Sequence, residues 1–277
     1  MNTVFVVGSV LHTLPEGNDV WGVTSLDNLI YVLRCKTSQE ISVYDIDSYR
    51  LLRRLNVPRL GRMSDMTVCA YNVCIYISGY NDNCVHRVAL SSDDVTEWSV
   101  NDVALGLSVT DTYTVLVSCG EAQKIKEFTT NGKLLCQIKL PHEVMPPQHS
   151  IQLPSGEIIV SHGEPTDPVR GVCLIGSNGH VLKSYGGPGS QQINNNFMPI
   201  HLAVDRNGFV FVADFINCRV LLLSPDLTYI REVVSRQQLK WNPMRLFLDV
   251  DRRRLYVAVN ECKDSEYTAG RVVVISV

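Results

Sequence analysis

"VADFINCRVLLLSPDL", residues Val212 to Leu227, reads as two short strands around a polar loop, with a tight turn after the second strand. Two strands cannot bury a core alone. The unit therefore belongs to something larger, and the rest of the chain supplies it. The strand "VFVA" (Val210 to Ala213) has five relatives: "IYVL" at Ile30, "IYIS" at Ile75, "VLVS" at Val115, "IIVS" at Ile158 and "LYVA" at Leu255. Their onsets lie 40 to 52 residues apart. Each is rich in β-branched or large apolar residues, as buried strands are.

A second strand follows each one: "ISVYDI" from Ile41, "CVHRVAL" from Cys84, "KIKEF" from Lys124, "GVCLI" from Gly171, "RVLLL" from Arg219 and "RVVVISV" from Arg271. Five of these six lead into a turn and a further strand. "TNGK" (Thr130 to Lys133) and "SNGH" (Ser177 to His180) carry Asn-Gly, the signal of a type I′ hairpin. "SSDD" (Ser91 to Asp94) and "SPDL" (Ser224 to Leu227) are weaker turn signals. One more strand precedes each "VFVA"-type strand, as "IHLAVD" does before "RNG" (Arg206 to Gly208). Four antiparallel strands repeated six times predict an all-β fold, a six-bladed β-propeller. A TIM barrel or Rossmann fold needs long amphipathic helices between strands, and the sequence offers none.

The expected blades span approximately residues 19–57, 62–100, 104–141, 146–187, 198–235 and 242–277, forming one domain over 1–277. The last unit stops after its third strand. "TVFVVGSV" (Thr3 to Val10) is a spare strand, expected to become the outer strand of that blade and close the ring.

The composition limits function. The 277 residues are 45% apolar and carry a formal net charge of −3, which fits a globular protein and lowers the prior for DNA or general nucleic-acid binding. No apolar run approaches the roughly 18 residues of a membrane-spanning helix, so no membrane role is expected. The nine cysteines are scattered without a C-x-x-C pair. This argues against a zinc ribbon and for reduced thiols in a cytoplasmic protein. No G-x-S-x-G, P-loop or H-E-x-x-H motif occurs.

"PIHLAVDRNGFVFVADFINCRVLLLSPDL" (Pro199 to Leu227) resembles an NHL repeat. The glycine-rich approach "GGPGSQQINNNFMP" (Gly186 to Pro199) agrees with that pattern, and "NPMRLFLDVDRRRLYVAVNE" (Asn242 to Glu261) agrees in part. Roughly a quarter of the chain carries these motifs, and the other blades follow by period. The resemblance extends to the propellers at the C-terminus of tripartite-motif (RING, B-box, coiled-coil) proteins. It implies a protein- or RNA-binding module, including substrate recognition for a ubiquitin ligase whose catalytic parts lie outside this chain.

Two groups of residues stand out as candidate binding sites. Counting back about nine residues from each "VFVA"-type strand, with one extra in blades two and six, reaches Trp21, Asp65, Gly106, His149, His201 and Arg245. At the heads of inner strands these would ring one mouth of the central channel, a plausible ligand site. The plainer reading is a solvated polar rim. Two histidines also raise zinc, but Arg245 stands where a further ligand would be needed and would repel the metal. No metal or other cofactor is expected, and Asp65 alone does not make the calcium site of a lactonase-type propeller. The second group is basic: five arginines in "RLLRRLNVPRLGR" (Arg50 to Arg62), and Arg252, Arg253 and Arg254 in "DRRRL". These could meet phosphates or an acidic partner, or form a face balanced by Asp45, Asp47, Asp249 and Asp251.

Asp214, Asn217 and Arg219 in the opening stretch look like an active site, yet short Asp and Asn side chains commonly shape loops. The sequence alone therefore predicts a non-catalytic scaffold for protein or peptide partners. Single-stranded RNA binding through the channel-mouth face is the first alternative, and a metal-dependent lyase or lactonase the second.

Overall fold

The computed structural model describes residues 8–35, 40–57, 63–167, 169–186, 196–263 and 266–277. It contains six four-stranded antiparallel sheets. In blades one to five the strands follow in sequence order from the inside out. The inner strands are Val20–Leu26, Met63–Cys69, Ala104–Val109, Pro147–Gln152, Pro199–Val204 and Asn242–Asp249. Each touches the inner strand of the next blade, and the sixth touches the first, so the ring is closed. The chain is a six-bladed β-propeller.

The apolar runs of the second strands follow from this architecture. Each sheet packs on neighbours through both faces, so Cys74–Gly79, Val115–Cys119, Ile158–His162 and Val210–Asp214 are buried at every position. Period-two alternation is absent because neither face meets water. The core is accordingly divided into six clusters, one at each blade–blade seam.

Closure uses a slightly different segment from the one the sequence indicates. The outer strand of blade six is Val10–Thr13, paired antiparallel with Glu266–Ser276 (Val10 opposite Ile275, Thr13 opposite Val273). Of the expected Thr3–Val10 strand, residues 3–7 lie outside the described residues. Gly8 has already left that ladder, its N–H bonding Val233 O on the outer strand of blade five. The strand shifts because Leu14 must reach the seam between blades six and one, where it is fully buried. The same seam is stapled by Asn260, whose amide accepts from Val20 N–H (2.8 Å) and donates to Val20 O (3.0 Å). Arg34 adds three bonds to backbone carbonyls, at Asn18, Gly270 and Pro15.

The Asn-Gly turns also differ from expectation. Type I′ needs two residues with positive φ, yet at Asn131-Gly132 and Asn178-Gly179 only the glycines have it, at +83° in both. Gly132 N–H bonds Thr129 O and Thr129 N–H bonds Lys133 O. This is a type I turn closed by a left-handed glycine, with the bulge that such a loop requires. The register slips beside both turns, at Glu127/Phe128 and Leu174/Ile175.

Candidate functional site

Every inner strand opens with a one-residue bulge: Val20/Gly22, Met63/Asp65, Ala104/Gly106, Pro147/His149, Pro199/His201 and Pro243/Arg245. The bulge turns the second-named residue toward the propeller axis. The structural ring is therefore Gly22, Asp65, Gly106, His149, His201 and Arg245. Five of the six predicted positions belong to it. Trp21 does not. Blade one has a two-residue turn between Leu26 and Leu29, shorter than those of the other blades, so the count overshoots by one. Trp21 is the extruded residue of the bulge. Its Nε1–H donates to Asp19 Oδ2 (2.7 Å), its ring stands edge-on to Tyr267, and it packs against two seams.

The other difference is burial. A solvated mouth was expected, but Asp65 is 1% exposed, His149 3%, His201 6% and Arg245 9%. Asp65 reaches across the axis from blade two. Its Oδ1 accepts the N–H of Met66 (2.8 Å), and its Oδ2 accepts the N–H of Leu107 in blade three (2.8 Å). Arg245 Nε lies 3.1 Å from Oδ1 and His201 Nε2 3.4 Å from the same oxygen. His149 Nε2 is 3.8 Å from Oδ2 and donates to Leu107 O at 3.0 Å. The two imidazoles stack at 3.7 Å between centroids. Glycine at positions 22 and 106 makes this packing possible. A Cβ on Gly22 would stand 2.5 Å from Met66 Cβ, and one on Gly106 would collide with Gln148 O and the His149 backbone.

The charges balance inside the plug. Burial alone would raise the Asp65 pKa, but His201 and Arg245 outweigh it and hold the carboxyl well below the usual range. Two backbone N–H donors act in the same direction. Burial, then the neighbouring His201, pushes His149 down to about 3. Burial also lowers His201. At neutral pH the cluster is one carboxylate, one guanidinium and two neutral imidazoles. His201 Nδ1 accepts the N–H of Leu246 (3.3 Å), which leaves its Nε2–H to face Asp65.

Asp65, His149 and His201 each offer one ligand atom, and those atoms lie within 4.8 Å of one another. The donor set nevertheless fits a divalent cation poorly. Both Nε2 atoms are committed as N–H donors, and a guanidinium already neutralises the carboxylate from 3.1 Å. Acid–base catalysis is also poorly served, since a general base needs a pKa near the working pH.

Arg252, Arg253 and Arg254 lie at the far end of the blade-six inner strand from Arg245, in the hairpin after Asp249. They mostly join blades together. Arg252 bonds Asp249 and Asn28 Oδ1, and Arg254 bonds Ile46 O beside Asp47 and the Tyr49 ring. Arg206 pairs with Asp251 of the same hairpin (2.6 Å). Arg253 is exposed. The basic loop and the axial ring are thus separate places on the molecule. In the other basic segment, Arg53 pairs with Asp93 and Arg54 with Glu40, while Arg59 and Arg62 lie outside the described residues.

Asp214, Asn217 and Arg219 form a loop knot. The buried carboxylate accepts Met198 N–H (3.1 Å), Asn217 Nδ2 (2.8 Å) and Arg219 Nε (2.8 Å). Blade two rebuilds the knot with other residues. Gly79 takes the place of Asp214, and the Asp82 carboxylate fills the space a Gly79 side chain would need. His86 Nε2 replaces the guanidinium at 2.9 Å. In the sequence, "NDNC" (Asn81 to Cys84) partly echoes "INC" (Ile216 to Cys218) of blade five, which marks the loop but not the exchange of roles.

No protein-family model and no curated protein sequence matches the chain. Solved structures do. Aldose sugar dehydrogenase from Streptomyces coelicolor, in its PQQ-bound form, superposes with a TM-score of 0.72 at 13% identity, over 97% of both chains. Selenomethionine-substituted virginiamycin B lyase from Staphylococcus aureus gives 0.64 at 11%, over 95% of this chain and 99% of that one. The β-propeller domain of Cps50 (Swd1) from Myceliophteria thermophila gives 0.66 at 9%, over 98% and 99%. At such identities the likeness is one of fold, and that fold serves enzymes and non-enzymes alike.

Proposed function

We propose that this protein is a non-catalytic, NHL-like propeller scaffold that presents a rigid face to protein or peptide partners. One observation carries the reading: apart from His149 Nδ1, the polar groups at the axis are engaged with one another or with the backbone. A catalytic site at the axis would have to offer free ligands or titratable groups to a substrate or metal. Here Asp65, His149, His201 and Arg245 bond five blades together and are at least nine-tenths buried. RNA binding has less support, because the Arg252–Arg254 hairpin is offset by Asp47, Asp249 and Asp251.

The test combines metal analysis with turnover. Protein expressed with added zinc and calcium is assayed for bound metal and offered lactone, ester and peptidyl-hydroxyglycine substrates. The scaffold reading expects neither stoichiometric metal nor turnover. Turnover abolished by His149→Gln or His201→Gln would overturn it.

A further inference from the structure

Among the described residues twelve large hydrophobic side chains are exposed, and eight of them sit on outermost or closing strands, where side chains on both faces reach water. Three of the remaining four gather at one place. Tyr71 (70% exposed) and Val73 (47%) occupy the hairpin tip after Cys69 in blade two, and Tyr113 (45%) the equivalent tip of blade three. Tyr71 and Tyr113 stack across the seam, with centroids 4.4 Å apart and planes 16° from parallel. An aromatic pair left in water on adjoining blades is a common mark of an interaction surface.

The tips are held rigidly. Tyr113 N–H bonds Thr110 O, and the Thr110 hydroxyl contacts those of Thr112 and Thr114. Leu90 N–H bonds Val73 O, fixing the neighbouring Ser91–Asp94 turn beside the platform. Val73 has φ +47°, and it is the one β-branched residue among the twelve described non-glycine residues with positive φ. Strain of this kind persists where the surroundings over-determine a conformation and tends to cluster at binding surfaces.

The charge around the platform is acidic. Asp94 and Asp111 are exposed and form no ion pair among the described residues. Of the nearby cations, Arg53 is taken by Asp93 at 3.0 Å. Arg87 is half-buried on the strand Cys84–Ala89, beside Cys74. Tyrosine faces with unpaired carboxylates on the adjoining turns suit a lysine or arginine side chain, which gains both cation–π and Coulomb attraction.

We propose that the hairpin tips bearing Tyr71, Val73 and Tyr113 form a docking platform for a basic peptide segment, with a Lys or Arg lying over the open face of the tyrosine pair between Asp94 and Asp111. This rests on the scaffold reading and names the partner chemistry and the face used.

Fluorescence anisotropy on the full chain would test it, with three labelled peptides of equal length: Lys/Arg-rich, Asp/Glu-rich and neutral. The basic peptide is expected to bind and the other two not. Its affinity should fall about tenfold in Tyr71→Ala and in Tyr113→Ala, and should survive in Tyr71→Phe and Tyr113→Phe, which keep the rings. Both alanine variants should melt as the wild type does. No binding of the basic peptide, binding unchanged in the double alanine variant, or tighter binding of an oligouridylate would overturn the platform. Those results would leave the scaffold reading to the metal and turnover assay, which reads the axis and not these hairpins.

Discussion

Arg245 of blade six places its Nε 3.1 Å from the Oδ1 of Asp65 in blade two, with both side chains at least nine-tenths buried at the propeller axis. Residues from non-adjacent blades meet here because the intervening ring position, Gly22, has no side chain. Through Leu107, His149 and His201 the same carboxylate also engages blades three, four and five. A single aspartate thus holds five blades. The apolar contacts of the seams are direction-tolerant, whereas this knot, like the Asn260 staple, fixes one mutual arrangement.

The buried histidines make stability depend on acid. Burial lowers His149 to about 3 and His162 to about 4, and it lowers His201 as well. Below the ordinary value of 6.5 the unfolded chain takes up protons at these sites that the folded chain refuses. Stability therefore falls as pH drops from about 6.5 toward 4, by about 1.4 kcal/mol per pH unit for each of His149 and His162, and His201 adds to the fall. Asp65, whose folded pKa is depressed, adds to the loss only below about pH 4. Urea denaturation across this range should show the slope, and His149→Gln should flatten it by one proton.

The stapled seam between blades six and one is open to a direct test. Asn260→Ala removes both partners of the Val20 backbone inside a fully buried site. Two unsatisfied backbone groups cost roughly 2–5 kcal/mol together. The midpoint of urea unfolding should fall accordingly. A midpoint equal to the wild type would mean that the Val10–Thr13 strand alone closes the ring.

Much of this fold was readable in the sequence, because buried strands between tight turns repeat at a near-constant period. The Asp214–Asn217–Arg219 knot was readable as loop chemistry for the same local reason. The ring at the axis was readable in identity but not in environment. Its register could be counted to within a residue, and the short turn of blade one displaced only Trp21 from Gly22. Whether His149 and His201 face water depends on what Asp65 and Arg245 do from other blades, and no local pattern records that. The Tyr71–Tyr113 pair was missed because its members lie in separate polar hairpins and meet only through the seam.

The strained turn under the tyrosine pair makes its own prediction. Val73→Gly relieves a β-branched residue from the left-handed region, which costs of order 1–2 kcal/mol. The variant should unfold at higher urea concentration than the wild type. A lower midpoint would show that the Val73 side chain contributes more by packing than its backbone costs.

The central claim is that the axial cluster holds the propeller together instead of serving a ligand. Calorimetry of Asp65→Asn in the presence of chelator tests it most directly. The substitution keeps the side-chain shape and leaves the buried Arg245 without its carboxylate, a loss of about 3–5 kcal/mol. The account predicts a melting temperature lower by on the order of 10 °C. A variant that melts with the wild type in chelator would contradict it.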